Sequence, residues 1–278
     1  MQQVADNPCT STRRISGQLG VGHMTVWRVL NGHGYKAFHR TKVQKLNQHD
    51  YPLRTEFCTR YNQECQENPQ FSSLVLYTDE ATFNESGIFN SKNNIYWAVE
   101  NPNSSYETGR QEKFKVNVWA GIVGDHLIGP YILPERLDAH NYVVFLRDVL
   151  PELLEDVPIE IRQNMWFQHD GAPAHSARIV RDHLNENFPG RWIGRFSDFP
   201  WPARSPDLNP LDFFFWGCMK DLVYSTPVAD EQELIARIAA AALEIQSKEG
   251  VFASVRDAMA KRCNACIEAN GGNFEHRL

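Results

Sequence analysis

The sequence predicts an α/β protein: a mixed β-sheet flanked by helices, with a small helical segment in front and further helices behind. Three observations carry that expectation. Residues 72–83, 94–99 and 115–123 are short β-rich runs separated by Asn/Gly/Ser/Pro turns. From residue 138 the apolar spacing lengthens to the helical period, with short apolar runs between. Finally, three separate elements each deliver an aspartate at a junction: Asp79 ends one apolar run, Asp170 follows another, and Asp212 opens a helix.

The elements follow in order. In residues 13–32, Ile15, Leu19, Val21, Val26, Val29 and Leu30 have helical spacing around Gly20, as in a helix-turn-helix. The second helix should run over 24–31 and stop at Asn31-Gly32. On it Thr25 and Arg28 face outward, suited to a phosphate and to a phosphate or base edge. A plain helical hairpin is the competing reading, and the local positive charge argues against it. Residues 36–70 read as a basic, then helical, connector. Residues 126–133 add or extend a strand, 138–154 form an amphipathic helix, and 165–169 a buried strand. A helix over 176–188, a strand over 191–196, a Pro-rich loop and a helix over 211–223 follow, and the tail 229–270 forms two helices. The expected organisation is thus 1–35 partial helix-turn-helix, 36–70 connector, 71–225 catalytic domain and 226–278 C-terminal helical extension. The order of strands and helices in 71–225 is that of an RNase H-like domain.

Composition narrows the classes. The chain has 278 residues, 42% apolar and 22% charged, which reads as globular. No run reaches the roughly 18 apolar residues a membrane span needs, and the N-terminus lacks a secretory pattern. Six scattered cysteines suit a reducing compartment, cytosol or nucleus, and the nucleus is the expected location. The net charge of −6 is uneven: residues 1–60 carry nine Lys/Arg against three Asp/Glu, the remainder 19 against 31. A basic front on an acidic body points to a polyanionic partner.

Three carboxylates on separate elements suit a two-metal phosphodiester-cutting site. Two divalent ions about 4 Å apart can activate the nucleophile and stabilise the leaving oxygen, and Mg²⁺ needs only a few carboxylates plus water. Each aspartate has a structural alternative, as turn former or helix-dipole partner; it is their order that favours the metal reading. Asp207 competes for third ligand, Asp212 is preferred because it opens a helix, and Glu80 and Asp138 are weaker candidates.

Four ordered blocks look like the signatures of mariner-superfamily transposases: Tyr77-Thr-Asp79-Glu-Ala-Thr-Phe, Val118-Trp-Ala-Gly-Ile, His169-Asp170-Gly-Ala-Pro-Ala-His175 and Ser205-Pro-Asp-Leu-Asn-Pro-Leu-Asp212. The resemblance covers nearly the whole chain. It implies a DDE/D-type catalytic triad at Asp79, Asp170 and Asp212, two Mg²⁺ or Mn²⁺ ions, cleavage at terminal inverted repeats, strand transfer to target DNA and a homodimer on paired ends. Two features depart from the family. Forty-one residues separate Asp170 from Asp212, more than is usual, with the excess expected around 191–202. Only one helix-turn-helix fits where such proteins usually begin with two, so the chain reads as an N-terminally shortened copy, a fragment or a mispredicted start. The alternatives are a catalytically retired DNA-binding protein and an RNase H-type nuclease on RNA–DNA hybrids.

Other residues draw attention. Cys263 and Cys266 have CxxC spacing without a second pair, and read more simply as buried helix residues than as zinc ligands with His276. His169 and His175 flank Asp170, where histidines more often pack or hydrogen-bond than ligate. Trp201, Trp216 and 213–215 read as core. Arg204, near the presumed catalytic loop, is a candidate phosphate contact.

Overall fold

The computed structural model describes residues 4–5, 10–37, 44–85 and 114–278, and the chain divides into two compact units, 1–42 and 43–278. The smaller unit holds α1 (Thr12–Leu19) and α2 (His23–Gly32). Ser11 Oγ accepts the Arg14 N–H at 3.1 Å and caps α1. Gly20 ends α1 at φ 66°, a left-handed position that favours glycine. Ile15 and Val26 are the buried side chains of this pair, and Thr25 and Arg28 are exposed on α2.

In the larger unit the described strands are β1 (Val75–Asn84), β2 (Lys115–Val123), β3 (His126–Leu133), β4 (Trp166–Gln168), β5 (Trp192–Gly194) and β6 (Phe199–Pro200). Their order across the sheet is β3-β2-β1-β4-β5-β6. β2 runs antiparallel to both β1 and β3, whereas β1, β4, β5 and β6 pair in parallel. The sheet is therefore mixed, with helices on both faces, as the sequence predicts. The strand expected over 94–99 lies outside the described residues.

Alternation along β1 sets the two faces. Val75 and Tyr77 join one core cluster and Leu76 the other. The first face is covered by α3 (Asp50–Glu67), through Phe57 and Tyr61. Later helices complete that layer: α7 (Trp216–Val223), α8 (Glu231–Gln246) and α9 (Val251–Glu268), numbered by chain position. The second face packs α4 (Ala139–Val144), which continues through a π-helical turn, Phe145–Val149, into Leu150–Leu153. Between them in the chain come α5 (Ile159–Asn164) and α6 (Arg178–Asn187); α6 contributes Val180 and Leu184 to the second face. Burying one such apolar side chain is worth roughly 1.5–3 kcal/mol, so tertiary packing holds these helices more than local propensity does.

The segment 36–70, expected as a connector, supplies α3 to the body of the larger unit. Its buried side includes Asp50, Arg54 and Cys58 beside Phe57 and Tyr61, so an apolar stripe alone does not reveal it. Arg54, fully buried, donates to Gly271 O at 2.8 Å, Ser205 Oγ at 2.7 Å and both Asp207 oxygens at 2.8 and 2.6 Å. One guanidinium thus ties α3 to the Pro-rich loop and the C-terminal loop. Gly271 makes the approach possible: at φ 79°, a Cβ there would stand 2.0 Å from Tyr51 O. Among the described residues no helix is long and apolar enough to cross a membrane.

Candidate active site

The parallel pairing of β1 with β4 carries the first two aspartates toward the same end of the sheet. The register runs Val75–Trp166, Leu76–Phe167, Tyr77–Gln168; Asp79 and Asp170 each stand two residues beyond its last pair. Thr78 locks the crossing, its Oγ1 donating to Gln168 O at 2.7 Å and its N–H to Gln168 Oε1 at 3.2 Å.

The Pro-rich block then divides its polar residues between structure and cleft. Asp207 sits in a 3₁₀ turn, Pro206–Leu208, and is consumed by Arg54. Asn209 Nδ2 reaches Thr78 O at 3.3 Å, beside Asp79, while its Oδ1 accepts the Leu211 N–H at 3.1 Å. That clasp starts a π-helical turn, Leu211–Phe215, which runs into α7. Asp212 lies in this turn and lines the cleft. Four residues on, Trp216 shares its side of the helix, and its indole N–H donates to Asp79 Oδ2 at 2.8 Å.

Asp79 feels the charges of Asp212 and Glu80, and Asp212 feels that of Asp170. Burial first, then those neighbours, push Asp79 up to about 8. Burial and then the Asp170 charge push Asp212 up to about 6. Burial and like charge both disfavour the ionised carboxylate. Asp170 goes the other way: burial would raise it, but the His175 bond and charge and the Ala172 N–H hold it below the usual carboxylate range. A cavity of about 390 Å³ opens onto Asp170 and Asp212, with Gly171, Pro202, Arg204 and Asn209 in its wall.

Among the described residues no three His, Cys, Asp or Glu side chains are gathered closely enough to hold a cation by themselves. Mg²⁺ usually takes one or two carboxylates and completes its shell with water and phosphate oxygens, and the hard oxygens of Asp79, Asp170 and Asp212 fit that demand.

The remaining candidates fall elsewhere. Asp138 caps α4, accepting the Asn141 N–H at 2.9 Å. Glu80 points to the opposite face of β1 from Asp79 and lies 3.2 Å from His175 Nε2. Arg204 lies at the rim with a left-handed backbone, φ 57°, uncommon for a residue with a Cβ. Its guanidinium is engaged by Asp50, with Nε 2.6 Å from Oδ2 and the second nitrogen paired with Oδ1. His169 stacks on His175, which hydrogen-bonds Asp170. Cys263 and Cys266 are fully buried on α9. Trp201 and Trp216 are buried as expected, but the Trp216–Asp79 bond is absent from the sequence reading. The available signal was its position four residues after Asp212.

A mixed sheet with flanking helices and an acidic cleft just beyond the end of β4 define an RNase H-like fold. A family model described as DDE superfamily endonuclease matches residues 74–235. The chain belongs to that family. It is 23% identical to the Tc3 transposase of Caenorhabditis elegans over 226 residues, covering 80% of this chain and 63% of that protein. It is 26% identical to the Tcb1 transposase of Caenorhabditis briggsae over 204 residues, 70% of this chain and 68% of that one. The chain thus spans slightly less than two thirds of the Tc3 protein. The solved Mos1 mariner paired-end complex with Mn superposes with a TM-score of 0.77 at 20% identity, covering 99% of this chain and 78% of that chain. This likeness establishes the fold.

Proposed function

We propose that the chain is a cut-and-paste DNA transposase, cleaving phosphodiesters at the terminal repeats of a mobile element and transferring the freed 3′-hydroxyl to target DNA. The observation that carries the reading is that Asp170 and Asp212 line one cavity and Asp212 feels the charge of Asp170 while Asp79 feels that of Asp212, beside an Asp207 withdrawn into an ion pair. Mos1 structures include complexes with Mn and with Mg and with paired transposon ends, which supports a divalent cation and duplex DNA here.

Asp79 and Asp170 would hold Mg²⁺ or Mn²⁺, two ions in the full site, with Asp212 completing it. Bound there, such ions supply Lewis acidity at the attacking and leaving oxygens. The protein's own part is to fix the carboxylates, with Arg54 paired to Asp207 and Arg204 to Asp50. Thr25 and Arg28 on α2 supply a face for duplex DNA, Arg204 a phosphate contact at the cleft rim, and two copies hold paired ends in the nucleus.

The test is nicking of supercoiled plasmid by the purified full chain with Mn²⁺ or Mg²⁺. Relaxation that EDTA stops and Asp79→Asn removes is the expected result. A wild type that binds duplex without metal-dependent nicking would instead identify a retired DNA-binding remnant. Cutting confined to RNA–DNA hybrids, without strand transfer, would identify a nuclease.

A further inference from the structure

Asp170 and Asp79 are each gripped from the protein side by a donor that the family reading does not assign. Behind Asp170, the 171–175 turn folds back on itself: Ser176 N–H donates to Ala172 O at 3.0 Å and Ser176 Oγ to Gly171 O at 3.2 Å. The fold-back puts His175, 3% exposed, beneath the aspartate five residues earlier. His175 Nδ1 lies 2.7 Å from Asp170 Oδ1, which also accepts the Ala172 N–H at 2.9 Å. Both bonds fall on Oδ1; Oδ2 takes neither.

The far nitrogen of the same ring faces Glu80 Oε1 at 3.2 Å, as an ion pair without hydrogen-bond alignment. A carboxylate thus stands at each nitrogen of the ring, hydrogen-bonded at Nδ1 and in ion-pair contact at Nε2. It is also clamped: His169 stacks on it at 4.9 Å and 9°, and the Tyr142 ring lies at 4.3 Å. Tyr142 Oη stands 3.3 Å from His169 Nδ1. Gly194 leaves the room this needs, since a Cβ there would meet His169 Nε2 at 2.6 Å. A histidine held by two rings and two carboxylates cannot turn toward the cleft.

Behind Asp79 the grip is the Trp216 indole N–H on Oδ2. That ring is 4% exposed and wedged edge-on against Phe83 and Phe215, at 6.1 and 5.0 Å.

We propose that His175 and Trp216 are positioning residues, each fixing one oxygen of a catalytic carboxylate so that Asp170 and Asp79 meet the cation with little rotational freedom left. The proposal rests on the metal-site reading above. Groups that orient a metal ligand typically contribute 10–100-fold to metal affinity or activity.

The test is Mn²⁺ titration of the full chain, reading free aquo-Mn²⁺ by electron paramagnetic resonance, with melting temperature recorded alongside. Trp216→Phe keeps a ring and removes the donor; His175→Ala removes the other donor; His175→Asn restores one near the Nδ1 place. The expected result is about tenfold weaker Mn²⁺ binding in the first two and substantial recovery in His175→Asn. Should His175→Ala fail to fold, Trp216→Phe and His175→Asn decide the matter. Wild-type affinity in the folded donor-deleted variants, with Asp170→Asn binding lost, overturns the positioning role and leaves the metal site standing. Unchanged affinity in Asp170→Asn overturns the metal reading and the positioning role with it.

Discussion

Asp207 and Asp212 stand five residues apart in the chain and meet opposite fates. Asp207 is 8% exposed and accepts two bonds from a fully buried guanidinium. Asp212 opens to the cleft, has no ion pair among the described residues, and is pushed up to about 6 by burial and its acidic neighbours. Asp79 is pushed further, to about 8, by burial and then by the charges of Asp212 and Glu80. A fold that matches one carboxylate with a buried cation and leaves adjacent ones repelling each other marks the second group for an external cation. Perturbed, uncompensated acids in a cleft are the usual sign of a working site.

The comparison breaks most sharply on stability. Asp207→Ala strands Arg54, and breaking a buried pair costs about 3–5 kcal/mol, measurable by urea unfolding. Asp212→Ala should cost far less, since it removes a repulsive charge; comparable losses in both variants would erase the distinction.

Activity should divide the other way. Asp79→Asn, Asp170→Asn and Asp212→Asn should each lower metal-dependent nicking by more than about 100-fold, because even residues that merely orient a ligand contribute 10–100-fold. If Asp212→Asn nicks like wild type, the third carboxylate has been misassigned.

Proton linkage sharpens the picture without metal. Asp79 binds its proton more tightly folded than unfolded, with folded value about 8 against 3.8. Its contribution is therefore fully present below about 4 and is lost as pH rises through about 8. Metal-free Asp79→Asn should gain stability relative to wild type between those limits, most at pH 8, and the difference should vanish in acid. A gap that widens in acid would reverse the sign. Mn²⁺ affinity of the wild type should rise with pH over the same window, since binding displaces these protons.

The smallest effect concerns the rim pair. Arg204 is partly exposed where Arg54 is sealed, so Arg204→Ala should disturb stability much less than Asp207→Ala. If Arg204 contacts phosphate, the salt dependence of duplex binding should lose about one unit of slope. An unchanged slope would assign Arg204 wholly to Asp50.

Most of the fold was legible because it is written in local period. The helices at 12–32, the strands at 75–84, 115–123 and 126–133, and the two tail helices all fall where apolar spacing puts them. The two-residue strand Phe199–Pro200 was missed because proline reads as loop, and Ile159–Asn164 because one short helix has no stripe to see. The choice of Asp212 over Asp207 followed from helix position, but its physical reason did not: Arg54 lies 153 residues from Asp207, and nothing local in either segment announces the pair. Trp216 and His175 were hidden in the same way. Burial was legible in the indole; the bond to Asp79 depends on β1 and α7 meeting.

The most direct measurement is anomalous diffraction from crystals of the full chain soaked in Mn²⁺. The account predicts density bounded by Asp79 and Asp170, with Asp212 alongside, and none at Asp207. Density at Asp207, or an empty cleft with Mn²⁺ bound elsewhere, would contradict it.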